Sequence, residues 1–380
     1  MVVDLNESRE KIDKIDKEIA RLFEERMEVA TDVAAYKRST GKKVLDPARE
    51  EEKIKALRAL TDNEFNKTGI EDLFRQIMSI SRKYQYQVLG AENDVEQKFR
   101  QVDSFDVDKD TRVVCFGEHG AYTEQAMEEV FGKNITAINR ESFREVMEMV
   151  ANGEAKYGVL PIENSSTGGI TDVYDMLLDY DVTVVAEHVV KVEQALMGLK
   201  GTKLEDIRTV YSHPQGILQC SKFLEKYPQI VAKTFASTSG SARKVAEEGD
   251  KTQAAIASKR AAEIFGLDVI QESINFEKNN YTRFIVISNQ KIFLSNANKI
   301  SLSFEIKHEA GALYNMLSNF YYNNLNLTKI ESRPIENKSW EYRFFVDIEG
   351  NINDPCVGNA LASISEFANK LVVLGNITTK

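Results

Sequence analysis

The stretch Gly158 to Gly169, G-V-L-P-I-E-N-S-S-T-G-G, concentrates polar chemistry near the middle of the chain. An apolar run stops at Pro161. One carboxylate, one amide and three hydroxyls follow, at Glu163, Asn164, Ser165, Ser166 and Thr167, and then two glycines. Ile170 to Leu178 continues with helical spacing. A strand that ends in a polar, Gly-rich turn and feeds a helix can hold an anion, because a helix N-terminus offers unpaired N–H groups and a partial positive charge. Read alone, the stretch fits a capped polar loop slightly better. Two more hydroxyl-rich helix starts follow candidate strands, Ser212-His213-Pro214-Gln215 and Ser237-Thr238-Ser239-Gly240. Singly each is a cap. Three converging starts would line a cleft with N–H and O–H donors, suited to carboxylates without metal ligands. His188, His213 and His308 have no metal-site spacing.

A second set of residues points to the same ligand chemistry. Arg26 and Lys37 are eleven residues apart on a predicted helix, so they point within about 20° of each other, ~16 Å apart along the axis. Two long cations leaning together leave a gap suited to a small dianion. Arg9 lies about 25 Å from Arg26 along that axis and on another face. It can reach the same ligand only from an antiparallel partner helix, hence in a dimer. The alternative is a set of solvated, salt-bridging charges.

These residues need elements to carry them. From about Leu5 to Thr40 there is no Pro or Gly, and apolar residues recur at helical spacing. So long a helix must pack along a partner of similar length. Gly41 ends it. Asp46-Pro47 reads as an N-cap with Pro at the first helical position, opening a second helix through about Leu60. A third is expected from about Ile70 to Val88. Residues 1–90 are therefore an all-α domain, and the polar segment 91–110 reads as a linker. From Val113–Phe116 onward strands alternate with helices, with candidate strands at Tyr157–Leu160, Val182–Ala186, Thr209–Tyr211, Ala254–Ala257 and Phe284–Ile287. That is an α/β domain, 111–290. Residues 298–380 read strand, helix, strand, strand, helix, strand, a ferredoxin-like α+β order.

The totals bound the function. The 380 residues carry 42% hydrophobic and 28% charged residues and a net charge of -10. That balance argues against broad nucleic-acid or anionic-membrane binding, yet leaves room for a few arginines to hold an anionic substrate. Cys115, Cys220 and Cys356 fit neither a disulfide framework nor a zinc site and suggest a reducing compartment. No signal peptide and no membrane-length apolar run is evident, so a cytoplasmic protein is expected.

The pattern Arg9, Arg26, Lys37, Asp46, Arg49-Glu50, Ser81, Gln85 resembles the all-helical chorismate mutase domain. The resemblance implies a helix-swapped dimer with Arg9 crossing to the other subunit. Chorismate to prephenate is a pericyclic rearrangement that needs no nucleophile or general base. It needs a near-attack shape and stabilisation of charge growing on the ether oxygen. Arg9, Arg26 and Arg49 would clamp two carboxylates. Lys37 and Gln85 would donate to the ether oxygen. Ser81, at i,i+4 from Gln85, shares its face, and Asp46 and Glu50 would orient the substrate hydroxyl or neighbouring cations.

P-I-E-N-S (161–165), Y-S-H-P-Q with Gln219 (211–219), the S-T-S run (237–239) and T-R-F (282–284) look like prephenate dehydratase. This resemblance implies two α/β subdomains, like those of periplasmic binding proteins, with the site in the cleft between them. Asn164, Ser165, Thr167, Ser212, Gln215, Gln219, Thr238, Arg283 and Phe284 would bind prephenate. Losing the ring hydroxyl with CO2 gives phenylpyruvate, and Thr282 would contact that hydroxyl. Glu163 and Thr282 both stand as candidate proton donors. Glu118-His119 and Ala121 depart from the family's usual loop. A rival mutase–dehydrogenase fusion would need a dinucleotide glycine fingerprint, and none is present.

G-A-L at 311–313 (Gly311, Ala312, Leu313) with Asn315, and E-S-R-P at 331–334 (Glu331, Ser332, Arg333, Pro334), resemble the ACT domain of prephenate dehydratases. That implies L-phenylalanine bound at a dimer interface, its carboxylate on the helix opened by Gly311 and its ammonium near Glu331. The departing tail Gly375-Asn376-Ile377 falls where an aromatic-Pro ending is usual. Together the resemblances imply a bifunctional chorismate mutase–prephenate dehydratase under phenylalanine feedback. Metal and organic cofactors are expected to be absent. A homodimer is expected, with a tetramer also open.

Overall fold

The Pro- and Gly-free segment forms one helix, Leu5–Thr40, capped by the Asp4 side chain at its start and closed by Gly41 in the left-handed region. The computed structural model describes residues 4–89, 99–335, 338 and 340–379. It divides into two units, residues 1–98 with 302–372 and residues 99–301 with 373–380. Parts of two strands, Lys299–Glu305 and Lys370–Thr379, fall in each unit.

In the first unit the Pro47–Arg58 helix opens on Asp46, whose side chain accepts the Arg49 N–H. The third helix, Glu64–Leu89, starts a turn and a half earlier than the spacing predicts. Asn63 caps it, accepting the Asn66 N–H at 3.1 Å, so Gly69 lies inside the helix instead of marking its edge. The first and second helices both pack on the third. Along the first helix Ile12, Ile15, Ile19, Leu22, Val29, Val33 and Tyr36 remain exposed, a row at three- and four-residue steps broken only where Arg26 stands between Leu22 and Val29, the spacing of a helix-pairing seam.

The rest of this unit follows the expected strand–helix–strand–strand–helix–strand order. The strands align as Leu327–Pro334, Tyr342–Glu349, Lys299–Glu305, Lys370–Thr379. The helices are Ala312–Tyr322 and Pro355–Phe367. Phe304, Met316, Phe320, Phe345, Ile348, Leu361 and Ile364 form its buried interior. The Glu64–Leu89 helix packs on both of these helices. Buried Lys83 donates to Ser318 Oγ at 3.0 Å and lies 3.8 Å from the Tyr322 ring centroid. Burial pulls its pKa down to about 7, while the aromatic face favours the charged form.

The second unit holds two large sheets besides one short strand pair. Thr183–Lys191, Tyr281–Ser288, Tyr157–Asn164, Arg112–Phe116 and Thr136–Arg140 lie side by side in that order. The second sheet has five strands: Asp268–Gln271, Ala195–Gly198, Gln253–Ala257, Thr209–Ser212 and Val231–Thr234. The chain passes between the sheets twice, through 192–194 and through 272–280. In the Gln253–Ala257 strand Ala255 and Ala257 enter one apolar cluster and Ala254 and Ile256 another. A period-two strand buried on both faces gives this pattern.

Several expectations are corrected here. Pro161 does not stop its strand, which runs on to Asn164. Pairing with Arg112–Phe116 is recorded only as far as Val159, and a bulge lies opposite Pro161–Glu163, so the missing N–H falls where the ladder is already interrupted. Gly158 is needed for packing: a Cβ there would lie 2.8 Å from Val150 and 3.0 Å from Ile287. Of the expected linker, residues 91–98 lie outside the described residues. The remainder is not a tether, because Arg100–Val102 pairs with Ile292–Leu294 and Phe105 packs on Phe131 and Tyr157. The last strand continues past Leu374 to Thr379. Gly375 permits this, since a Cβ there would come within 1.8 Å of the Val184 carbonyl oxygen.

Candidate active sites

In the helical region the third helix brings Ser81, Arg82, Gln85 and Tyr86 into the interior. Gln85 Nε2 donates to Ser81 Oγ at 3.4 Å, as their i,i+4 spacing allows. Arg82 pairs with Glu50 of the second helix. Arg26 is half-buried, and burial lowers its pKa while Glu50 opposes that. Lys37 donates to the Val44 carbonyl at 2.5 Å. Burial lowers its pKa too, against the raising effect of Asp46, Glu366 and Glu50. Glu366 accepts the Leu45 N–H at 2.9 Å. Arg26 Nη1 and Gln85 Oε1 are buried without a hydrogen-bond partner among the described residues. Buried polar groups are nearly always satisfied, so each of these two atoms marks a place for a polar partner.

Two expected members stand apart. Arg49 is exposed and pairs with Glu52 at 2.8 Å. Arg9 is exposed on the first helix with no ion pair among the described residues, as the distance along that helix requires. Arg82 and Glu366 were not foreseen. A cation between Ser81 and Gln85 gives no sequence signal of its own, and Glu366 lies 321 residues from the backbone group it contacts.

In the second unit the central pieces of the site are Asn164 and Thr282, directly opposite each other across two antiparallel strands. Asn164 Nδ2 donates to Thr282 Oγ1 at 2.9 Å and to Asn280 Oδ1 at 2.8 Å. Its Oδ1 accepts the Ser166 N–H at 3.0 Å. Ser165 Oγ accepts the Tyr281 N–H at 2.9 Å and donates to the Asn279 carbonyl. The 163–167 turn is thereby tied to the strand that carries Thr282. Arg283 lies 3.5 Å from Glu163 and 3.8 Å from Glu187, which also pairs with Lys299.

The second sheet supplies the facing wall. Gln215 Nε2 reaches Thr167 Oγ1 at 3.4 Å. His213 caps the Pro214–Gln219 helix, its Nδ1 accepting the Gln215 N–H at 3.3 Å. Burial lowers its pKa, in keeping with a neutral ring and a capping role. Gln219 Oε1 accepts from Gln194 Nε2 at 3.3 Å. Ser237 caps the helix that begins at Thr238 and donates to Glu118 Oε1 at 2.9 Å. Arg243 takes the other oxygen of Glu118 at 3.0 Å. The Gly117–Gly120 loop, with its departures from the family pattern, thus fastens the serine-rich helix start to the first sheet.

Two expected ligand contacts are corrected. Ser212 is fully buried and donates to the Ile256 carbonyl at 2.7 Å, so its hydroxyl serves the sheet. Phe284 is 2% exposed and packs among Val113, Met127, Tyr157 and Val286. It shares a strand face with Thr282, but that face turns apolar two residues beyond the threonine. Asn280 was missed, although it immediately precedes Tyr281-Thr282.

At the C-terminal end Gly311 takes a left-handed conformation and opens the Ala312–Tyr322 helix with no side-chain cap, while the Ala312 N–H donates to the Glu309 carbonyl at 3.2 Å. Gly311 and Asn315 are exposed, and Ala312 and Leu313 half-buried. Glu331, Ser332, Arg333 and Pro334 lie on the Leu327–Pro334 strand opposite Phe345, Phe344, Arg343 and Tyr342.

Anion-seeking polar clusters on an all-helical region and on a two-sheet α/β region define a multidomain enzyme of small carboxylate substrates. Residues 8–86 match the model of chorismate mutase type II, and residues 113–292 that of prephenate dehydratase. The chain is 32% identical to the bifunctional chorismate mutase/prephenate dehydratase of Aquifex aeolicus, covering 98% of this chain and 97% of that one. It is 31% identical to the Escherichia coli K12 enzyme of the same name, covering 97% and 94%. A prephenate dehydratase from Arthrobacter aurescens, solved in complex with L-Phe, superimposes with a TM-score of 0.65 at 28% identity, covering 70% of this chain and 90% of that one. The chain belongs to the bifunctional chorismate mutase/prephenate dehydratase family and carries both enzyme domains.

Proposed function

We propose that the helical domain, within 1–90, rearranges chorismate to prephenate at Arg26, Lys37, Ser81 and Gln85. The dehydratase domain, 111–290 with its packed extension from Phe99, then converts prephenate to phenylpyruvate between Asn164–Thr282 and Gln215–Thr238. The observation that carries the mutase reading is the pair of buried, unpartnered groups, Arg26 Nη1 and Gln85 Oε1. A guanidinium aimed into the cluster suits a substrate carboxylate. Gln85 and Lys37 suit the ether oxygen, where charge develops. Asp46 and Glu50 orient the substrate hydroxyl and the cations. Arg49 turns inward and Arg9 arrives from a second subunit. The exposed apolar row on the first helix supports that antiparallel homodimer.

In the dehydratase site Thr282 meets the leaving hydroxyl. Its Oγ1 accepts from Asn164, so its own proton is left to donate. Glu163 lies 3.5 Å from Arg283, and the Asn164 bond to Thr282 weighs toward Thr282 as the donor. Ser165, Thr167, Gln215, Gln219, Thr238 and Arg283 hold the substrate's carboxylates and carbonyl.

The C-terminal strand order and the left-handed Gly311 support a ferredoxin-like ACT domain, 298–380, that binds L-phenylalanine through 311–315 and 331–334. The effector stabilises a state in which the dehydratase cleft is less competent. The protein works in the cytoplasm, in keeping with free thiols at Cys115, Cys220 and Cys356. Adding L-phenylalanine to the purified chain should lower dehydratase rate or prephenate affinity. An unchanged rate and affinity would remove the regulatory part.

A further inference from the structure

We infer that Asn280 is a positioning residue for the dehydratase step, acting through Asn164 to aim the Thr282 hydroxyl proton into the cleft. The inference rests on the assignment of Thr282 to the leaving hydroxyl. It begins from a group that cannot turn round. The Ser166 backbone N–H donates to Asn164 Oδ1 at 3.0 Å, which fixes that amide with its NH2 toward the Tyr281–Ser288 strand. Asn164 Nδ2 has two protons. One goes to Asn280 Oδ1 at 2.8 Å. The other is taken by Thr282 Oγ1 at 2.9 Å, with the Tyr281 carbonyl close by at 3.2 Å. Turning the Asn280 amide over would set one NH2 against another, so its orientation is fixed as well. Polarity therefore runs from a backbone N–H, through the Asn164 amide, and divides between the Asn280 carbonyl and the Thr282 hydroxyl oxygen. The Thr282 oxygen is used as an acceptor, and its O–H has no acceptor among the described residues.

Asn280 is placed to do more than fill space. It is fully buried, and its Nδ2 has no partner among the described residues, so its carbonyl is the end that works. Its backbone oxygen accepts the Val192 N–H at 2.8 Å. Asn280 thus joins the ends of both segments that cross between the sheets, 192–194 and 272–280, to the Asn164–Thr282 pair. Without the Asn280 carbonyl, Asn164 keeps one proton with the Tyr281 carbonyl as its nearest alternative acceptor. As the amide shifts that way, Thr282 loses its donor and turns its own proton back toward the strand.

The test is a double-mutant cycle in the full chain, assayed with prephenate. Asn280→Ala should lower dehydratase kcat roughly 10- to 100-fold, the scale of a small misplacement of a reacting group, with a much smaller change in KM. In a Thr282→Val background the same substitution should lower kcat less than about twofold, because the proton it aims is already gone. Chorismate turnover by each variant verifies that the chain is folded. An Asn280→Ala effect of equal size in both backgrounds would overturn the inference and make Asn280 a structural residue. A Thr282→Val variant with normal dehydratase turnover would overturn the assignment of Thr282 itself.

Discussion

Lys37→Ala should reduce chorismate turnover by roughly 10²- to 10³-fold, the cost of removing one donor from a charge-stabilising site, while added prephenate is still consumed at the normal rate. The side chain is half-buried and held by the Val44 carbonyl. A substitution there removes a preplaced cation without opening the interior of the fold. The loss should fall mainly on kcat, because charge on the ether oxygen appears only as the bond breaks. Steady-state kinetics with each substrate separates the two activities. A pH profile adds a second reading. Burial lowers the Lys37 pKa, so wild-type mutase activity, which needs the protonated amine, should decline as pH rises through a value below that of an ordinary lysine near 10.4. The alanine variant should lose that alkaline limb.

The other large effect is expected from Thr282→Val, which keeps the shape of the side chain and removes its hydroxyl. Dehydratase kcat should drop by about 10²- to 10⁴-fold, the range for a positioned proton donor. Chorismate given to this variant should stop at prephenate. Thr282→Ser, which restores the hydroxyl, should recover much of the rate. Because Thr282 Oγ1 accepts a buried Asn164 N–H, valine also removes that acceptor and leaves the Tyr281 carbonyl at 3.2 Å in its place, at a stability cost of about 1 kcal/mol. Thermal unfolding measured beside the kinetics separates this cost from the catalytic one. Mixing the Lys37→Ala and Thr282→Val proteins should restore the path from chorismate to phenylpyruvate, since each keeps the site the other lacks.

Much of this arrangement is legible in the residues. Asp46-Pro47 and Gly41 mark helix ends by chemistry that acts locally, and the helices begin and end there. Asn164, Gln215 and Thr282 belong to short polar motifs at strand ends, and the fold brings those ends together. What the chain does not announce is direction. Ser212 and Phe284 sit in the same motifs as true cleft residues, yet one hydroxyl serves a neighbouring strand and one ring serves the core. Type and spacing do not say which face a strand turns to the core when a bulge lies beside it. Long-range partners are equally silent. Asn280, Arg82 and Glu366 gain their meaning from contacts with residues 116, 32 and 321 positions away. Arg100–Val102 sits in a polar stretch and becomes a strand only because Ile292–Leu294 offers it an edge.

The measurement closest to the central claim is a time course of chorismate with the purified chain, following chorismate, prephenate and phenylpyruvate together. Two sites on one chain predict that chorismate disappears, prephenate rises and then falls, and phenylpyruvate accumulates to match the chorismate consumed. Prephenate that accumulates without becoming phenylpyruvate, or chorismate that persists while added prephenate is consumed, would contradict it.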